Sequence, residues 1–180
     1  HTFNKHYYYI FIGWSWIISK DYIKYKNCLC IHPSNLPNYR GGSPIQNQVI
    51  DGLKTSSVTL FKMNEKLDAG PIFDKVEISL KGYLNDIFKE IERASIILIE
   101  RFVNASTTNN IKFNSQNSIL ASYCKRRKPE QSIISVDELE SMTAKQIYDM
   151  VRCLQDPYPS CAIRLSDGSK IVLKQVDYEN

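Results

Sequence analysis

The stretch from Tyr7 to Ile18 is apolar except for Gly13 and Ser15. A membrane span takes roughly 20 apolar residues, so this run is too short for one, and it lacks the small-residue cleavage site that ends a secretory signal. An unbroken apolar run of this kind is the pattern of a strand covered on both faces, as in a parallel sheet flanked by helices. Such a strand needs a neighbour on each side. It stands at the head of a chain that opens on His1 and not on Met, so partner strands encoded upstream are expected and the chain reads as a fragment.

The pattern downstream alternates strands and helices. Ser19 is a candidate cap for a short helix through Tyr25, and Cys28 to Ile31 reads as a second buried strand, stopped at His32-Pro33 because proline gives no ladder donor. Pro33, Pro37 and Gly41-Gly42 make His32 to Gly42 a loop. Ser43-Pro44 then gives a cap followed by a first-turn proline, predicting a helix to Asp51 with Gly52 as its stop. Strands are expected at Val58–Met63 and Ile72–Ile78 around the turn Leu67-Asp68-Ala69-Gly70. A long helix is expected from Asp86 to Asn104, capped by Asn85, with Ile87, Ile91, Ala94, Ile97, Leu98 and Phe102 on one face. This order predicts an α/β layer protein.

Polar residues dominate from Thr107 to Asn117, and the basic run Lys125-Arg126-Arg127-Lys128 follows. The expected division is therefore an α/β domain over 1–122 and a small α+β domain over 123–180. The second contains an amphipathic helix from Thr143 to Leu154 and a hairpin around Ser166-Asp167-Gly168. The basic run reads first as a solvated linker, with contact to RNA or a nucleotide diphosphate as the other option.

Charge and cysteine usage bound the function. With 23 Lys and Arg against 19 Asp and Glu, the net charge of +4 is too mild to mark a nucleic-acid binder and suits an anionic small-molecule substrate. An odd count of 5 widely spaced cysteines argues against a secreted disulfide scaffold and for a reduced, cytoplasmic protein. Cys28 and Cys30 share a strand face, but no further Cys/His pair completes a zinc site, so no metal is expected.

The candidate chemistry rests on two residues. His1 and His6 stand in the opening residues, which leaves His32, at the end of a buried strand, where ligand sites of open α/β sheets lie. Asp68 sits in a turn before Ala69-Gly70, where backbone can approach a ligand closely. Taken singly, a structural histidine and a turn-bonding aspartate are the simpler accounts. Together on neighbouring strand-end loops, the carboxylate would orient the imidazole for general acid–base work.

The segment His32-Pro33-Ser34-Asn35-Leu36-Pro37-Asn38-Tyr39-Arg40-Gly41 resembles the His-x-Ser-x-Leu-Pro-x-x-Arg-Gly signature of folate-dependent formyltransferases. Met63 to Gly70 is similar to the same family's Met-x-x-x-Leu-Asp-x-Gly loop. Arg127-Lys128-Pro129-Glu130 and Asp156-Pro157-Tyr158-Pro159 look like the C-terminal domain of its methionyl-tRNA and amino-sugar members. The resemblance implies a Rossmann-like, mostly parallel sheet and transfer of a formyl group from 10-formyltetrahydrofolate to an amine. It implies that His32 and Asp68 belong to an Asn-His-Asp triad whose asparagine position is held here by Cys30. Asn27 faces the other way along the strand, while Asn35 is left open as a replacement. Gly13, Trp14, Trp16, Ile17 and Leu67 would line the folate pocket, and Ser34, Arg40 and Gly41 would meet the acceptor; for Arg40, bracing of its own loop weighs equally.

The Arg40-Gly41-Gly42-Ser43-Pro44 wording and the length of the tail favour a nucleotide-linked amino sugar as acceptor, with initiator methionyl-tRNA as the alternative. From another class, a catalytically impaired relic or binding module is the rival, given Cys30. The oligomeric state is open, a homodimer being one option.

Overall fold

The computed structural model describes residues 7–179. His1 and His6 therefore lie outside the described residues. The opening strand, β1, is Tyr8–Ile12, shorter than the apolar run. Gly13 takes a left-handed backbone (φ +61) and turns the chain away. The remainder of the run is not a covered strand: Trp14 is 51% exposed, Trp16 77% and Ile17 98%. The expectation of one strand buried on both faces is thus corrected to a half-buried strand followed by an exposed aromatic loop. Ser19 caps helix α1, Lys20–Tyr25, by accepting from Tyr22 N–H at 3.3 Å, as expected.

Strand β2, Asn27–His32, pairs with β1 in parallel and, on its other edge, antiparallel with β4, Thr55–Lys62. β4 continues antiparallel into β5, Ile72–Ser79, giving the order β1-β2-β4-β5. A two-residue strand β3, Arg40–Gly41, pairs in parallel with β6, Tyr123–Cys124. Helix α2 spans Pro44–Ile50. Ser43 stands at its N-cap position but does not cap it: at φ +50 its hydroxyl turns outward and accepts from Arg127 N–H at 3.0 Å. Helix α3, Leu84–Thr107, starts earlier than Asn85 as cap would allow, because the Asp86 carboxylate accepts from Tyr83 N–H at 3.1 Å.

α3 buries Ile87, Ala94, Leu98 and Phe102 against β4 and β5, the stripe that the helical spacing marked. The C-terminal stretch adds β7, Ile133–Ser135, α4, Val136–Ser141, α5, Ala144–Cys153, and the hairpin strands β8, Ala162–Arg164, and β9, Lys170–Val172. Its Ile134, Val151, Cys153, Leu154 and Cys161 share one apolar core with Leu29, Ile31, Val58, Leu60 and Leu98. A buried ion pair fastens the join: Arg152 meets Asp149 at 2.7 Å and donates to the carbonyls of Leu80 and Gly82. No helix among the described residues is long and apolar enough to cross a membrane.

Candidate active site

Alternation along β2 sends its side chains to opposite faces. Leu29 and Ile31 enter the main core, while Cys30 joins a smaller cluster with Leu36 and Phe61 that Phe11, Met63 and Ile72 flank. His32 follows on the Cys30 face, at the strand's end and 6% exposed. The strand therefore delivers the thiol and the imidazole to one side, two residues apart.

Asp68 reaches that imidazole from the β4–β5 turn. The two groups stand at an ion-pair separation, 3.8 Å from His32 Nδ1 to Asp68 Oδ2, longer than a direct hydrogen bond. The other ring nitrogen, Nε2, lies 2.9 Å from the Tyr39 carbonyl oxygen. A carbonyl only accepts, so Nε2 carries its proton and donates there. That anchors the ring and leaves Nδ1 as the nitrogen facing the carboxylate. The same Oδ2 accepts from Gly41 N–H at 2.8 Å, and Asp68 itself sits in the left-handed region at φ +47.

The Cys30 thiol is pushed up to about 12, first by burial and then by the negative charge of Asp68. It stays protonated near neutrality, and its weak donor points at the Ile31 carbonyl, 3.7 Å away. It is neither a nucleophile nor a strong donor in this state. Asn35 does not take its place: the Asn35 side chain is exposed and accepts from Lys75 Nζ at 2.7 Å.

The remaining expected contacts divide. Leu67 is 59% exposed beside the Asp68 turn, and Trp14 packs edge-to-face on Phe11 with ring centroids 5.5 Å apart. A solvent-exposed ion pair at 3.3 Å joins Lys20, at the start of α1, to Glu65. Trp14, Trp16, Ile17 and Leu67 are all exposed, and Trp14 adjoins the Cys30 cluster through Phe11. Ser34 and Arg40, expected to meet the acceptor, are both bonded within the protein, and for Arg40 this is the bracing role that weighed equally. Ser34 is wholly buried, with its hydroxyl donating to the Asn38 carbonyl at 2.7 Å. Arg40 is 1% exposed and all its guanidinium nitrogens are engaged: Nε and Nη2 donate to Gln116 Oε1 at 3.1 and 2.6 Å, and Nη1 donates to the Tyr123 hydroxyl at 2.9 Å. Gly41 donates its N–H to Asp68.

Two participants escaped the sequence reading. Tyr39 acts through its backbone carbonyl, which any residue would supply. Gln116 belongs to a stretch marked only by its polar composition, yet its amide donates to the carbonyls of Asp68 and Gly70 at 2.9 and 2.7 Å. No local pattern marks either residue. A cavity of about 400 Å³ opens on the far flank of the Tyr39 segment, lined by residues including Tyr39, Asp51, Tyr123, Lys125 and Arg127; His32 and Asp68 are not in its lining. No group of three or more His, Cys, Asp or Glu side chains among the described residues is placed to hold a metal ion.

Comparison with known proteins bears on the family. The family model described as formyl transferase matches residues 5–94. The methionyl-tRNA formyltransferase of Thermotoga maritima is 38% identical over 129 residues, which are 68% of this chain and 40% of that protein. A solved methionyl-tRNA formyltransferase from Clostridium thermocellum superposes with a TM-score of 0.75 at 32% identity, covering 92% of this chain and 75% of the other. A 4-N formyltransferase from Francisella tularensis shares the fold at a TM-score of 0.80 and 19% identity, with 96% of this chain and 72% of the other covered. Against the curated relatives the chain spans less than two thirds of their length, from 25% to 51%. With half its residues under the family model, and its His32 and Asp68 signatures brought together in space, the chain belongs to the formyl transferase family.

Proposed function

We propose that the chain transfers a formyl group from 10-formyltetrahydrofolate to a primary amine, with His32 and Asp68 as its acid–base pair. The observation that carries this reading is the anchored imidazole: Nε2 held by the Tyr39 carbonyl, Nδ1 turned to Asp68 at 3.8 Å. The folate supplies the formyl carbon. As the amine nitrogen bonds to that carbon, its proton passes to His32 Nδ1, and Asp68 balances the imidazolium so formed. The same nitrogen then returns the proton to the departing folate nitrogen, so the ring ends as it began. The exposed Trp14, Trp16, Ile17 and Leu67 are the apolar side chains assigned to the pteridine ring in this reading. Gly13 turns the chain into the segment that carries Trp14, Trp16 and Ile17, at the end of β1. The division into domains at 122/123 and a cytoplasmic setting belong to the same reading.

The acceptor is an amine on a phosphate-bearing carrier. The Arg40-Gly41-Gly42-Ser43-Pro44 wording supports a nucleotide-linked amino sugar. Identities of 38% and 32% to methionyl-tRNA formyltransferases support initiator methionyl-tRNA as a second reading. The test incubates the protein and 10-formyltetrahydrofolate with a dTDP-amino sugar or with charged initiator tRNA and follows formyl-amide formation. Turnover with one acceptor, abolished by His32→Ala, is expected, and a steep loss with added salt is expected only for the RNA. Folate binding by calorimetry with no transfer to either acceptor would hand the case to a binding module.

A further inference from the structure

Asp68 occupies a backbone region that few residues other than glycine adopt, and such a residue persists where its surroundings over-determine it. Gln116 closes the turn. One side-chain amide donates to the carbonyls on both sides of Ala69, those of Asp68 and Gly70, at 2.9 and 2.7 Å. Its oxygen is held by the Arg40 fork through Nε and Nη2. The Gln116 backbone is itself pinned, because Asn114 exchanges two 2.8 Å hydrogen bonds with Ile72 just beyond the turn. Arg40 is in turn fixed from its other side by the Tyr123 hydroxyl and by stacking over the Tyr123 ring at 5.5 Å. Its neighbour Gly41 bonds the Asp68 carboxylate directly.

These links converge on the backbone of the Asp68 turn, and the Gly41 N–H reaches the carboxylate that faces His32. Among the described residues Arg40 meets no carboxylate; its charge is satisfied by neutral acceptors, which is unusual for a guanidinium at 1% exposure. We propose that Arg40 and Gln116 form a positioning clamp that sets Asp68 Oδ2 against His32 Nδ1, so that Gln116 is a determinant of turnover without touching substrate. The clamp deepens the formyl-transfer reading and rests on it for its kinetic consequence only.

The decisive variant is Gln116→Glu. It keeps the oxygen that Arg40 needs and removes the N–H donors that hold the turn. The expected result is a folded protein whose kcat falls about 10- to 100-fold with KM for both substrates nearly unchanged, the cost of a small misplacement of a working group. A residue that merely braces the fold would leave kcat at the parent level once the protein is folded, and that result overturns the clamp. A second readout needs no activity. The His32 ring resonances, assigned by comparison with His32→Gln, are recorded for parent, Asp68→Asn and Gln116→Glu. The clamp requires Gln116→Glu to move them in the direction that Asp68→Asn does; a spectrum unchanged from the parent's overturns it, whatever the kinetics. If the parent turns over neither acceptor while the resonances move, the formyl-transfer reading falls and the clamp stands. Should Gln116→Glu fail to fold, Gln116→Asn replaces it, drawing both polar groups back by one methylene, with the same two outcomes.

Discussion

Replacing Cys30 with asparagine asks whether the position two residues before His32 can serve as the missing donor. In the native protein the thiol is 9% exposed, packed with Leu36 and Phe61, and kept protonated by burial and by the nearby Asp68 charge. Its one polar contact is the 3.7 Å approach to the Ile31 carbonyl. A carboxamide at the same place has two N–H donors on the face that holds His32. Loss of one oxyanion donor costs on the order of 10²–10³ in rate, so a correctly aimed carboxamide in the Cys30→Asn variant should recover up to that factor in kcat. The opposing effect is on stability: an amide in an apolar cluster that finds no partner costs roughly 1–3 kcal/mol, a fall of about 2–12 °C in melting temperature for a domain of this size. The assay is single-turnover formyl transfer at saturating donor, with thermal melts of the same samples and Cys30→Ala as control. The control should match the parent in rate, since the thiol contributes no strong donor. A Cys30→Asn protein that melts within the stated range yet turns over no faster than the parent would refute the oxyanion argument.

Three other perturbations have equally definite outcomes. Asp149→Ala leaves the Arg152 guanidinium, 5% exposed, without its carboxylate and should cost roughly 3–5 kcal/mol in urea unfolding. Gly41→Ala puts a Cβ into the Cys124 carbonyl at a left-handed φ of +106, so it should open the β3–β6 pair and lower kcat along with the melting temperature. Burial pushes Cys30 and Cys153 up to about 12 from an ordinary 9.0. The unfolded chain then releases those protons first, so stability is intact below pH 9 and declines as pH rises from 9 toward 12, by roughly 1 kcal/mol per pH unit for each thiol; Cys153→Ala should flatten that decline in urea titrations at pH 8 and pH 10.

Where local chemistry alone decides, the sequence was readable. The Ser19 cap, the buried face of α3 and the two strands around the Asp68 turn lie where spacing and turn residues put them. The apolar run at the start misled because hydrophobicity reports affinity for cover and not the presence of it: Trp16 and Ile17 are as apolar as core residues and stand in solvent. Ser43 misled because its hydroxyl had a second offer, the Arg127 N–H, from a residue 84 positions away. At the site, His32 and Asp68 were legible as residue types at strand-end loops. Arg40 was ambiguous, since a guanidinium beside glycines suits a phosphate or a loop equally. Gln116, 76 positions on, and Tyr123, 83 positions on, hold the guanidinium, and no spacing rule links either to Arg40.

The division at 122/123 marks a shift in composition, but the packing does not stop there, and this bears on whether residues 1–122 can hold the site alone. Cutting at that point removes Ile134, Val151 and Leu154 from the shared core, each at most 2% exposed. Their burial contributes roughly 1.5–3 kcal/mol apiece, a total comparable with the 5–15 kcal/mol or so that holds a whole domain together. The cut also takes away Tyr123 and Cys124, which pair with Arg40 and Gly41, and Arg152, which caps the carbonyls of Leu80 and Gly82. The fragment 1–122 should therefore show no cooperative melt, and the His32 and Asp68 side chains should lose their fixed relation even where secondary structure survives. A sharp calorimetric transition for that fragment, with His32 ring resonances matching those of the 180-residue chain, would mean that the C-terminal stretch is an accessory and that the Arg40 anchor is set by the first 122 residues alone.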